Sequence, residues 1–129
     1  MERVVSILIV CLGGAIGSGA RYGVALWTQA RGWIAFPWAT LIVNVVGCFL
    51  IALIATIAAA RTMNADLRLF LTTGIMGGLT TYSTFDYETT RFFQDGLPAS
   101  ALLNVGATLV ACFGAGLLGI ALARSLVSA

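Results

Sequence analysis

The sequence predicts an all-α membrane protein with four spans, the third of them broken. Three observations carry that prediction. The chain is 60% hydrophobic and only 9% charged over its 129 residues, whereas soluble domains carry roughly 25% charged residues. Its apolar residues fall into four runs, each long enough for the about 20 residues that a bilayer-crossing helix needs. The third run contains Gly74-Ile75-Met76-Gly77-Gly78-Leu79-Thr80-Thr81-Tyr82-Ser83-Thr84-Phe85, too polar and glycine-rich for a plain lipid-facing helix. The spans are expected at about 4–26, 38–60, 67–93 and 98–127, so that residues 1–129 form a single transmembrane domain.

The same composition excludes several classes of function. Four spans leave no soluble domain for nucleotide or cofactor chemistry. The chain has no His and no Lys, and its formal charge of +2 is small and scattered; nothing in it suits a nucleic-acid partner. Cys11, Cys48 and Cys112 lie in apolar runs without CxxC spacing and read as small buried hydrophobes. No nucleophile–base pair, metal cluster or phosphate loop is visible, so an enzyme is not expected.

The first span has the outline of an export signal (Arg3, an apolar run, then Ser18-Gly19-Ala20), but is counted here as a membrane helix. Gly13 and Gly17, then Gly19 and Gly23, are spaced for close helix packing. Arg21 near its end either snorkels to the interface or lines an aqueous vestibule. Trp27, Trp33 and Trp38 gather around the first connection, as an aromatic belt would.

In the second span, Thr40, Asn44, Cys48 and Ala52 recur every four residues and share one helix face. Asn44 is either interhelical glue or an amide donor to a passing anion. In the third, an unpaired amide or carbonyl in hydrocarbon costs several kcal/mol, so the break needs protein, water or an ion to satisfy it. Past the break, Tyr82, Phe85 and Glu88 share a face. The ring edges either pack or face an anion; Glu88 is solvated, or paired with an arginine. In the fourth span, Ala107, Ala111, Ala115, Gly119 and Ala123 form a small-residue stripe. Beside it run Ser100, Asn104, Thr108, Cys112 and Gly116, a polar track suited to lining a cavity or another helix.

With four spans, Arg3, Arg61, Arg68 and Arg124 lie on one side of the membrane and Arg21, Arg31 and Arg91 on the other. So even a balance gives little orientation signal and points to insertion in both directions as an antiparallel homodimer. The hydroxyl, amide and ring-edge donors on three helices suit a small anion, and Arg21 would concentrate it. Carbonyls freed at the break suit a hard cation.

The run Gly77-Gly78-Leu79-Thr80-Thr81-Tyr82-Ser83-Thr84-Phe85 resembles the signature of the CrcB/Fluc fluoride channels. Thr40-Leu41-Ile42-Val43-Asn44-Val45-Val46-Gly47 resembles that family's second-helix motif, and Gly19-Ala20-Arg21-Tyr22 its first-helix motif. The likeness spans essentially the whole chain. It implies a dual-topology antiparallel homodimer in the bacterial inner membrane that exports fluoride passively through two pores, with a structural sodium ion (Na+) at its centre. It further implies that Tyr82 and Phe85 turn ring edges to fluoride, that Asn44 is the pore amide with Thr40 one turn away, and that Ser83 and Thr84 continue the polar track. Thr108 and Cys112 would join from the fourth helix, and carbonyls of Gly77 and Thr80 would ligate sodium. Arg21 would lie by a vestibule and Glu88 near the far end of the pore, with Asn104 likewise at a vestibule or pore end. Three positions depart from the family: Tyr82 replaces the usual Phe, Asn104 stands where some relatives carry Tyr, and Cys112 is a weaker donor than Ser.

Two other classes compete. A small dual-topology multidrug exporter matches in size and charge balance but needs a carboxylate in its first helix, and there is none between Val4 and Leu26. A non-transporting assembly subunit explains the small-residue stripes but not the ring of donors at the break.

Overall fold

The computed structural model describes residues 2–128, and among them every regular element is helical. Helix α1 spans Glu2–Ala30, α2 Trp38–Ala60 and α3 Ala65–Leu69. A π-helical segment follows at Phe70–Met76, then α4 at Gly77–Leu79, α5 at Tyr82–Gln94 and α6 at Pro98–Ser128. Three of these, α1, α2 and α6, are unbroken and long and apolar enough to cross a membrane. The third segment of the sequence is the composite Ala65–Gln94. Large apolar side chains such as Leu12, Val110, Phe113 and Leu117 stand exposed along the long helices, as lipid-facing positions do.

Local chemistry sets the helix ends. Gly32 and Gly96 adopt φ of 72° and 73°, the left-handed geometry that glycine takes without steric cost. Each closes the helix before it: Trp33 N–H donates to the Thr28 carbonyl at 3.0 Å and Leu97 N–H to the Phe92 carbonyl at 2.8 Å, the six-to-one bond of a Schellman end. Asn64 caps α3 by accepting from the Asp66 and Leu67 amides, and Pro98 opens α6 at a position that needs no amide donor. The tryptophan cluster forms as expected, with Trp27 and Trp33 ring centroids 5.3 Å apart, Trp33 and Trp38 6.1 Å apart, and the Arg31 guanidinium 5.2 Å from the Trp27 centroid.

Two seams hold the helices together. Along α2 and α6 the small-residue stripe faces inward, with Ala115, Gly119 and Ala123 buried; a methyl at Gly119 would run into the Phe49 carbonyl. Along α1 and the third segment the backbones nearly touch. A Cβ at Gly13 would lie 2.7 Å from the Phe70 carbonyl oxygen, and one at Gly74 2.9 Å from the Gly13 Cα. The Gly13/Gly17 pair is thus a packing face, as the sequence suggests. Gly19 and Gly23 are not part of it: among the described residues, no atom beyond the surrounding turns of α1 lies within 4 Å of a Cβ built at either. They point away because α1 turns its other side to the third segment.

Candidate functional site: a helix break between two cavities

The break falls at Thr80–Thr81, not at the glycines. Gly74 continues the π-helical run, and Gly77 and Gly78 form α4. Thr80 (φ −82°, ψ 153°) and Thr81 (φ −151°, ψ 118°) then leave the helix as two extended residues. Side chains take over the groups this frees. Asn44 Nδ2 donates to the Thr81 carbonyl at 3.0 Å, while Thr81 N–H donates to Asn44 Oδ1 at 2.8 Å. A single buried amide from α2 therefore completes both backbone groups of the break residue. Thr81 also caps α5, its Oγ1 accepting from Thr84 N–H at 3.2 Å and donating to Thr84 Oγ1 at 3.0 Å.

These substitutions leave specific carbonyls without their helical donors. In a continuous helix the Thr81 amide would serve the Gly77 carbonyl and the Thr84 amide the Thr80 carbonyl. Here they serve Asn44 Oδ1 and Thr81 Oγ1 instead. Gly77 is exposed, with nothing within 4 Å of a Cβ built on it.

One face of α2 follows the third segment turn by turn. Thr40 Oγ1 donates to Glu88 Oε1 at 2.9 Å, Asn44 holds Thr81, and Gly47 makes room for Thr80, whose methyl group would collide with any Cβ there. Thr80 itself folds back, its N–H and Oγ1 both donating to the Met76 carbonyl at 3.0 and 2.9 Å.

Cavities of about 490 Å³ lie on either side, and Thr81 lines both. The polar one is lined by Arg21, Thr40, Thr84 and Glu88 beneath the Trp33–Trp38 cluster. Arg21 is half-buried, nine residues before the end of α1, about 14 Å along its axis. Glu88 Oε2 is buried with no hydrogen-bond partner among the described residues, which leaves an acceptor unserved in that cavity. The second cavity is lined by Asn44, Tyr82, Phe85, Thr108, Cys112 and Phe113 among others. Its donors carry no fixed charge. Asn44 Nδ2 has two hydrogens and spends one on Thr81, and the Tyr82 and Phe85 rings sit 5.6 Å apart at 54°. Tyr82 is 79% exposed while Phe85 is buried.

Two of the sequence-selected residues lie in neither cavity. Ser83 is exposed, with its hydroxyl 3.2 Å from Thr81 Oγ1. Asn104, 1% exposed, sits between α5 and α6 and donates to Thr89 Oγ1 at 2.8 Å; Thr89 in turn donates to the Phe85 carbonyl at 2.7 Å. At its Asn104 level the α6 polar track lines a helix, and at Thr108 and Cys112 it lines a cavity. Thr81 escaped the sequence selection. Its signal was present, since a Thr before a new helical run is a favoured cap.

The fold and the site together define a small helical membrane protein whose hydrogen-bonding groups gather at one helix break. Residues 8–120 match the family described as CrcB-like protein, Camphor Resistance (CrcB). The chain belongs to that family. A relative from Sorangium cellulosum is 48% identical over 118 residues, covering 91% of this chain and 93% of that protein. One from Anaeromyxobacter sp. (strain K) is 49% identical over 107 residues, covering 82% and 85%. One from Geobacter sulfurreducens is 48% identical over 122 residues, covering 94% and 98%. All three bear the name Fluoride-specific ion channel FluC, that of a channel and not of an enzyme.

Proposed function

We propose that this protein is a fluoride channel that lets the ion leave the bacterial cytoplasm passively, across the inner membrane. The observation that carries the reading is the near-half identity, over nine-tenths of the chain, to a relative named a fluoride-specific ion channel. The donor set around the break supports it. Fluoride is small, strongly hydrated and a hard acceptor. The cavity holding Asn44, Phe85, Tyr82 and Thr108 offers amide, hydroxyl and ring-edge donors without a fixed cation that would trap it. Arg21 and Glu88 stand in the other cavity, Arg21 favouring anion entry.

The finer reading is an antiparallel homodimer of dual topology with two pores and a sodium ion at its centre. The even arginine balance supports dual topology. The Gly77 and Thr80 carbonyls, deprived of their helical donors, are the oxygen ligands that a hard cation prefers. Exchanging sodium for a large organic cation is then expected to weaken the dimer, read as a shift toward monomer in detergent. An unchanged dimer with sodium rigorously excluded would remove the ion from the assembly.

The function is tested in liposomes holding the purified protein, with fluoride and chloride electrodes side by side and a potassium ionophore clamping the voltage. Rapid fluoride release with chloride retained is expected. Release of neither ion, from protein shown to be folded, would overturn the reading.

A further inference from the structure

Three sulfur-bearing residues from three different elements line the second cavity. Cys48 comes from α2, Met76 from the end of the π-helical segment and Cys112 from α6, and all line the same space. The two cysteines face each other across the α2–α6 seam. Gly116, one turn beyond Cys112, carries no side chain, and a Cβ there would lie 4.0 Å from the Cys48 carbonyl oxygen, so α2 and α6 run close together at the level where both cysteines line the cavity. Both are free, as is the exposed Cys11, which lines neither cavity.

We propose that Cys48 and Cys112 form a binding site for a soft divalent metal ion of the mercury class, bridged between the two sulfurs inside the second cavity. Ligand chemistry selects softness: thiolate and thioether donors favour soft ions, and Met76 lines the same cavity as the two cysteines. Charge selects valence. No Arg, Asp or Glu lines this cavity, and an uncompensated charge in apolar surroundings is costly. Two thiolates with one divalent ion make a neutral complex, whereas two thiolates with silver(I) or copper(I) leave a net negative charge. The step balances without redox change. With mercuric chloride, two S–H and two Hg–Cl bonds break, two S–Hg bonds form, two protons pass to water and two chloride ions leave. Thr108 lies one turn from Cys112 and lines the same cavity, so the bound metal would stand in the path of the anion. That consequence rests on the proposed function; the metal site does not.

The test uses the full chain carrying Cys11→Ser, treated with mercuric chloride alone. One equivalent per chain is expected to protect both remaining thiols from a maleimide. Metal retention against an excess competing monothiol should fall about 100-fold when either Cys48 or Cys112 is also changed to Ser, because the second sulfur then no longer acts at high effective concentration. Two mercury ions per chain, or one equivalent leaving a thiol fully reactive, would overturn the site. That count is made on a protein with the pair intact, so it stands even if a Ser variant fails to fold. In liposomes the bridged protein is expected to stop releasing fluoride. Bridging with release unchanged would remove the obstruction and keep the site. Absence of release before mercury is added would count against the channel reading alone.

Discussion

On one side of the Asn44–Thr81 contact the lining carries Arg21, Glu88 and Thr40 under a tryptophan roof. On the other it carries ring edges, thiols, Thr108 and no charged group. The volumes are equal at about 490 Å³, so the difference lies in chemistry. A charge acts over about a Debye length, roughly 8 Å at physiological salt, and gathers ions without holding any one closely. Neutral donors act only at contact and discriminate by size and acceptor strength. In the proposed channel, attraction and selection would then fall to separate rooms, with Thr81, held by the Asn44 amide, in the wall between them.

Removing that wall is the severest way to break the distinction. Asn44→Leu strands the buried Thr81 amide and carbonyl. At about 1–3 kcal/mol for each unpaired group, the expected loss of stability is about 2–6 kcal/mol, read by thermal unfolding in detergent, together with loss of ion release. Asn44→Asp keeps the acceptor, loses the donor and adds a negative charge. It should melt between the parent and Asn44→Leu, and still pass no fluoride. A conducting Asn44→Asp protein would remove this amide from the ion's path.

A milder change sharpens the contrast. Arg21→Gln removes the cation from the polar cavity without breaking any hydrogen bond seen here. Fluoride entry is expected to fall about 3- to 10-fold at low ionic strength and to recover toward the parent near 1 M salt, where the Debye length is about 3 Å. Loss that persists at high salt would mean that Arg21 touches the ion. The smallest effect is expected in the neutral cavity. Tyr82→Phe keeps the electropositive ring edge and removes only an exposed phenol, so fluoride release should change by less than about twofold. A larger change would make the phenol a participant.

Much of this arrangement was legible from residue pattern. Apolar run length gave the long helices, small residues every fourth position gave the α2–α6 seam, and the Gly/Thr stretch marked the interrupted segment. Other features depend on information that pattern lacks. The π-helical segment lies where α1 approaches most closely, at Gly13 and Gly17, a contact between segments distant in sequence that local pattern does not carry. The break sits two residues past the last glycine because Asn44 rewards the backbone of Thr81, 37 residues away. Asn104 belonged to a polar track on the helical wheel, but the rotation of α6 turns it toward Thr89 and the polarity is spent between helices. Gly19 and Gly23 show the converse, a spacing suited to packing that no other helix among the described residues meets.

The two-point grip of Asn44 on Thr81 also bears on how the protein is made. Thr81 brings an amide and a carbonyl into hydrocarbon that its own helix does not satisfy, and no lipid will serve them. Chains emerge from the ribosome N-terminus first, so the second helix is already inserted when the interrupted one arrives. The partner that makes the break tolerable is in the bilayer before the break itself. In a circular permutant that starts after Arg61, the interrupted helix would reach the membrane alone, and its insertion efficiency would expose how far biogenesis depends on that order.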